Sequence, residues 1–381
     1  MIAITGGTLL TMDGRGAFRG TVIVDGPTIH SVGSAVEIPP GCTVIDAPGC
    51  YVTPGLIDAH THLGLEEEIY RIEGDDVNEI HEPVTPQLMA ADGVNYYDLG
   101  FKDALRGGVT RSLCMPGSAN VIGGQAVLLK HLAPRAVQMI DRNPWGVKAA
   151  LGENPKRVYS ALKKTPVTRM ASASLLREAL YTASRAMEKG EALSSAEFFK
   201  WEPIMRVLRK EQPLLLHVHR ADDILTALRI KEEFDFNLVI QHGTEAFMVA
   251  EELNRHQVPV CLGPLLVNRA KVEMKEVSFK NAARLAELGV EFCLITDHPV
   301  VPVEQLRVCA ALAAREGLAE EQALAAVTIN AASIIGAADR LGSISAGKRA
   351  DLVIFDGHPL EFRSRICQVM VDGLLWGEII E

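Results

Sequence analysis

No uninterrupted apolar run in the 381-residue chain reaches the roughly 20 residues that a bilayer-spanning helix needs. Positive charge is also scarce. With 38 basic residues against 48 acidic, the formal charge is −10, the wrong sign for a general phosphate-backbone binder. The opening residues, MIAITGGTLLTMDGRG, carry neither a basic leader nor a small-residue cleavage site, so no secretory signal is expected. The seven cysteines (42, 50, 114, 261, 293, 309, 367) include no CxxC pair, which argues against a disulfide framework or a cysteine zinc site. Several sit in apolar runs such as Val258-Pro-Val-Cys-Leu262 and read as buried free thiols in a reducing cytoplasm. Any metal must then be held by histidine and carboxylate. Neither a GxGxxG turn after the first strand nor a GxSxG nucleophile elbow is present.

What is present is ordinary globular material, with 48% hydrophobic and 23% charged residues, arranged in two styles. Residues 1–50 and 341–381 hold short β-branched segments between Gly, Asp and Pro turns. They read as one small β-sandwich domain built from both termini, with boundaries 1–52 and 341–381. Between them, apolar runs at Thr110–Cys114, Val147–Leu151, Leu214–Val218, Leu238–Ile240, Val258–Leu262 and Phe292–Ile295 alternate with helical patterns. The helical patterns are Ser174–Glu188, Ile224–Glu233, Glu245–Asn254, Phe279–Leu288 and Val303–Arg315. Such alternation predicts an α/β architecture, with residues 53–340 forming a (β/α)8 TIM barrel. Residues 63–96 and 115–145 read as insertions at the ends of the first two strands, where a barrel builds its active-site rim.

The chemistry-bearing residues stand at strand ends. In Pro54-Gly-Leu-Ile-Asp-Ala-His60-Thr-His62, the two histidines are spaced by two, so on a strand their imidazoles share a face. His217 ends Pro213-Leu-Leu-Leu-His, with His219 two residues on. His242 ends an apolar run, and so does Asp297. One such residue is commonplace, but four strands each closing on a metal-ligand type predict a single divalent-metal site at the barrel mouth. His30, His81, His131, His256 and His358 fall outside this pattern.

This HxH strand with its strand-end His, His and Asp resembles the metal signature of the amidohydrolase superfamily. The tail, Thr328-Ile-Asn-Ala-Ala-Ser333 and then Leu341-Gly-Ser-Ile-Ser-Ala-Gly-Lys-Arg-Ala-Asp-Leu-Val-Ile-Phe-Asp356, is similar to that superfamily's return into its small β-domain. Segments Asn78-Glu, Pro83-Val-Thr-Pro, Pro116-Gly-Ser-Ala-Asn, Gly123-Gly-Gln and Gly152-Glu-Asn-Pro-Lys resemble an imidazolonepropionase-like, prolidase-like branch. The resemblance implies one or two divalent metals, most commonly zinc, with His60, His62, His217, His242 and Asp297 as ligands. It also implies that Lys148 bridges the ions as a CO2-carboxylated lysine, with Glu153 the alternative carboxylate. A homo-oligomer is implied by the family alone.

The expected reaction is hydrolysis of an amide, cyclic amide or peptide-like C–N bond in a small-molecule substrate. Asp297 would act as general acid/base, with His219 donating to the developing oxyanion. Glu153, Arg220 and His298 are placed around the substrate, Arg220 as a carboxylate clamp. Two other readings stay open. One is a mononuclear deaminase on the same scaffold, although the Glu three residues after the strand-5 His is replaced by Arg220 after His217 and by Asp222 after His219. The other is a non-catalytic scaffold homologue, which the complete ligand set opposes.

Overall fold

The computed structural model describes residues 1–69, 72–189 and 193–377; the last four residues of the expected C-terminal segment lie outside them. Five strands open the chain: β1 (Ile2–Leu10), β2 (Ala17–Asp25), β3 (Thr28–Gly33), β4 (Thr43–Asp46) and β5 (Tyr51–Pro54). Next come β6 (Leu56–Thr61), β7 (Val109–Cys114), β8 (Ile122–Gln125), β9 (Val127–Lys130) and β10 (Ile140–Arg142). They are followed by β11 (Val147–Ala150), β12 (Leu214–Val218), β13 (Leu238–His242), β14 (Val260–Leu262) and β15 (Phe292–Leu294), and last by β16 (Leu352–Phe355), β17 (Ile366–Val371) and β18 (Leu374–Trp376).

The two ends of the chain do share a sheet, in the order β18-β17-β16-β5-β1-β2-β3, with β4 beside β1. Its apolar side chains, among them Ile4, Leu9, Val22, Val52, Leu352 and Ile354, form a cluster of their own. In the middle of the chain, β11 to β15 run parallel in sequence order, and every residue of these strands is buried. Continuous apolar strands are what a parallel sheet covered by helices requires. The covering helices are Ala221–Phe234, Ala250–Arg255, Lys280–Glu287 and Leu306–Arg315, each within one of the helical patterns expected from the sequence or overlapping it closely.

One expectation needs correction. Residues 115–145 were expected to form a rim insertion, yet they contain β8 and β9, which are buried throughout except for Lys130. This stretch runs antiparallel to its neighbours, with β9 paired to β7 and β8 to β11. It joins the four-stranded sheet containing β6 and β7 to the six-stranded sheet ending in β15. On the other side, Asp297 N donates to His60 O (3.2 Å) and His62 N to His298 O (2.8 Å), so the segment after β15 lies beside β6. The apolar sequence Ile122-Gly-Gly-Gln-Ala-Val-Leu-Leu129 fills a place between two sheets, and burial outweighs its Gly-rich, loop-like character.

A buried ion network ties this body to the sheet of the termini. The Arg111 guanidinium is fully buried and contacts Asp351 (2.7 Å), Asp372 (2.6 Å) and Asp141 (3.1 Å), and Lys130 adds a second cation on Asp372 (2.7 Å). Burial alone would raise the Asp372 carboxyl, but Arg111 and Lys130 outweigh it and hold it below the usual aspartate range. Stability drawn from Asp372 is therefore present at neutral pH and lost as pH falls below its ordinary value of 3.8. Arg111→Met strands buried carboxylates and should cost about 3–5 kcal/mol at pH 7 in denaturant unfolding. The gap to the unsubstituted protein should narrow on acidification toward pH 3; a gap independent of pH would remove the charge argument.

Candidate metal centre

Each strand delivers its functional residue to the same place because the parallel strands end together. His60 lies within β6 and His62 just past it. Lys148 is in β11, His217 in β12, His219 one residue beyond β12, and His242 closes β13. His242 and Asp297 both have positive φ, 76° and 57°, so the chain turns sharply at two of these positions.

Two donor groups result: His60, His62 and Asp297, and beside them His217, His219 and His242. Asp297 Oδ1 lies 3.1 Å from His60 Nε2 and 3.3 Å from His62 Nε2. The groups meet where the rings of His60 and His242 approach to 4.8 Å and those of His217 and His242 to 4.3 Å. Lys148 Nζ is 3.2 Å from His60 Nε2 and fully buried. The six sequence-expected ligands, His60, His62, Lys148, His217, His242 and Asp297, converge, and His219, expected as an oxyanion donor, lies with them.

The protonation states follow from the partners. His62 Nδ1 donates to Met115 O (2.7 Å), His242 Nδ1 to Gly263 O (2.8 Å) and His60 Nδ1 to Gln241 Oε1 (2.7 Å). A carbonyl accepts only, so each of these rings carries its proton on Nδ1 and turns a bare Nε2 lone pair inward. Burial disfavours charging four of the site's histidines: it lowers His60 and His219 to about 4, and His217 and His242 well below the ordinary histidine value. It also lowers the Lys148 ammonium to about 8. Lone pairs at 3.1–3.3 Å from the Asp297 carboxylate are two acceptors face to face. A cation between them resolves the conflict, so the donor set fits a divalent metal.

Asp58 holds the arrangement in register. This fully buried carboxyl accepts from Thr296 Oγ1 (2.5 Å), Thr296 N (3.2 Å) and His60 N (3.2 Å). Burial pushes it up to about 7. The group thus links β6 to the segment carrying Asp297. Asp58 stands in the HxH motif, but its partner 238 residues away has no local signature.

Beside these groups is a cavity of about 590 Å³, lined by His62, His217, His219 and Asp297, by Glu66, Val77 and Asn78 of the 63–96 insertion, and by Ser118, Asn154, Leu266 and Lys271. Three expected substrate contacts are not brought there. Arg220 spends its fork on Asp222, at 2.9 Å through both Nε and Nη2. Glu153 offers its backbone N–H to Glu273 rather than lining the cavity. His298 is fully buried behind the site because the turn at Asp297 redirects the chain; its Nδ1 accepts from Val303 N (3.2 Å). Residues missed from the sequence take these places: Lys271 is a cation on the cavity wall, and Asn154 donates to Ser118 Oγ (2.8 Å) with its own Oδ1 unpartnered. The glycine-rich stretch 117–124 borders the cavity at Gly117 and Ser118, and its Ala119 N donates to Asn78 Oδ1 (3.0 Å).

Comparison with known proteins bears on what this site does. A profile of the Amidohydrolase family matches residues 207–375. A crystal structure of an amidohydrolase from Thermotoga maritima MSB8 superposes with a TM-score of 0.95 at 41% identity, covering 99% of this chain and 100% of that one. Amidohydrolase tasK of Hapsidospora irregularis is 32% identical over 93% of this chain, which spans 39% of that longer protein. An imidazolonepropionase from Symbiobacterium thermophilum is 26% identical over 92% of this chain and 84% of its own length.

Removing the Asp58 carboxyl tests the register clamp. Asp58→Ala leaves buried N–H and O–H donors of His60 and Thr296 without an acceptor, and should lower stability by about 2–4 kcal/mol. It should also weaken retention of a divalent metal on dialysis. Unchanged unfolding and retention would show that the clamp is dispensable.

Proposed function

Because the chain belongs to the amidohydrolase family, we propose that it is a metal-dependent hydrolase of a carbon–nitrogen bond, in an amide, cyclic amide or peptide-like small molecule. One observation carries this reading: two imidazole-rich donor groups and a buried lysine share one floor beside a cavity of about 590 Å³. The ring of strands from β6 through β7, the antiparallel β8–β9 stretch and β11 to β15 is read as a (β/α)8 barrel with one reversed stave. Residues 53–340 would make this barrel, and 1–52 with 341–381 a separate β-sandwich domain.

His60, His62 and Asp297 would hold one divalent ion and His217, His219 and His242 a second, zinc being the metal suited to such ligands. Lys148, carboxylated on Nζ, would lie between the two. Burial favours its neutral amine, the form that reacts with CO2. When bound, such ions supply a water that loses its proton near neutral pH and a Lewis acid for the substrate carbonyl.

The chain's own residues do the rest. Asp297 Oδ1 takes the proton released as water attacks the carbonyl carbon, and passes it to the leaving nitrogen as the C–N bond breaks. Thr244 Oγ1 lies 2.7 Å from His219 Nδ1 and fixes the orientation of that ring, so that its Nε2 faces the second donor group. Lys271, on the cavity wall, would receive a substrate carboxylate, the task that Arg220 cannot perform while clamped to Asp222. N-acyl amino acids, dipeptides and lactam acids combine that anion with the reactive bond.

Metal content by elemental analysis of protein never exposed to chelator is the first test. About two equivalents per chain supports the reading, one favours the mononuclear deaminase, and none after incubation with zinc or manganese overturns it. Asp297→Asn should lower turnover by about 10²- to 10⁴-fold with the fold retained; an active variant removes the proposed base. Lys148→Ala should lose bound metal, and a short carboxylic acid should restore part of it. Full metal content in that variant would end the bridging role.

A further inference from the structure

Behind the second histidine group lies a carboxylate with no part in the reaction outlined above. Glu273, in the single turn Val272–Met274 after β14, is 1% exposed. Its Oε2 accepts the Glu153 backbone N–H at 3.0 Å, at the start of the helix Glu153–Ala161. Its Oε1 has no hydrogen-bond partner. That oxygen lies 3.8 Å from His217 Nε2 and 3.8 Å from His219 Nε2, with Lys271 Nζ also at 3.8 Å on the cavity side. A separation of 3.8 Å is too long for a hydrogen bond and suits two donors that share one ion, each bonded at about 2.0–2.2 Å.

The surroundings are built for this position. Gly152, at φ +82°, leaves the room: a Cβ there would meet Glu273 Oε2 at 2.9 Å. The charges also differ between the two donor groups. His60, His62 and Asp297 include a carboxylate, whereas His217, His219 and His242 include none. A divalent ion among three imidazoles would have only a share of the charge on a carboxylated Lys148, so a further carboxylate offsets the cost of burying it. Glu273 is the carboxylate that faces this group.

We propose that Glu273 is the anionic donor that completes the metal site of His217 and His219, a ligand reached from the loop after β14 rather than from a strand end. The proposal rests on the metal-dependent reading above. Through Glu153 N–H the ligand is tied to the helix beside Asn154, so ion and cavity wall are positioned together.

The experiment measures metal equivalents and dissociation constants on the full chain, by elemental analysis and by competition with a chromophoric chelator, for the unsubstituted protein and Glu273→Gln. Circular dichroism checks the fold. The amide is isosteric but has lost the charge. One metal equivalent should be lost, or the weaker dissociation constant should rise at least tenfold, and the visible absorption of the cobalt-substituted protein should change. Glu273→Asp, which keeps the charge but shortens its reach, reports the same weakening if the amide variant unfolds. Unchanged stoichiometry, affinity and cobalt spectrum in Glu273→Gln would overturn the proposal and leave the hydrolase reading intact. Absence of metal from the unsubstituted protein would overturn both.

Discussion

The site depends on a single carboxyl group. Asp58 takes hydrogen bonds from its own strand at His60 N and from Thr296 N and Oγ1 across the ring of strands. These contacts fix β6 against the segment after β15, so His60 and Asp297, distant in sequence, face each other at 3.1 Å. Without that lock, the two halves of the first donor group would depend on backbone pairing alone. The hydrogen bonds Asp297 N to His60 O and His62 N to His298 O run through the same junction. Local register there and donor geometry are therefore one constraint.

A second consequence follows from where the protons sit. The carbonyls of Met115 and Gly263 belong to chain segments just past strand ends, and they take the Nδ1 protons of His62 and His242. Backbone geometry thus selects the tautomer, and burial disfavours the charged form of His242. The interior arrives with lone pairs already aimed inward and with little polar surface left to reorganise. That is the preorganisation a cation site needs, and it is shared between main-chain oxygens, at His62 and His242, and side chains, Gln241 at His60 and Thr244 at His219.

Much of this was legible in the sequence because strand chemistry is local. An apolar run that stops at His217, His242 or Asp297 marks both a strand and its functional end, and the spacing of His60 and His62 puts them on one face. The pairing of the two termini in one sheet was readable from composition. What could not be read depended on contacts between distant residues. Glu273 lies in the polar stretch Lys271-Val-Glu-Met-Lys-Glu276, which has no period to point it inward. Arg220 looked available for a substrate, but Asp222, two residues on, satisfies it. His298 was expected around the substrate, but the chain turns at Asp297, where φ is positive, and His298 is buried. The stretch 115–145 read as a loop because its glycines are a local signal, while its burial between two sheets is not.

Arg111 sets an order on how this molecule is made. It lies in the second strand of the body, and of the three carboxylates on it Asp141 follows closely, but Asp351 and Asp372 come 240 and 261 residues later. A ribosome delivers the chain from its N-terminus, so β7 leaves the exit tunnel long before two of its three counter-charges exist. Until β16 and β17 are synthesised, burying that guanidinium costs far more than leaving it in water. Early closure around β7 is therefore disfavoured, and full neutralisation of Arg111 waits for residues 351 and 372. In a chain lacking them, that seam would be the costliest part of the body to bury.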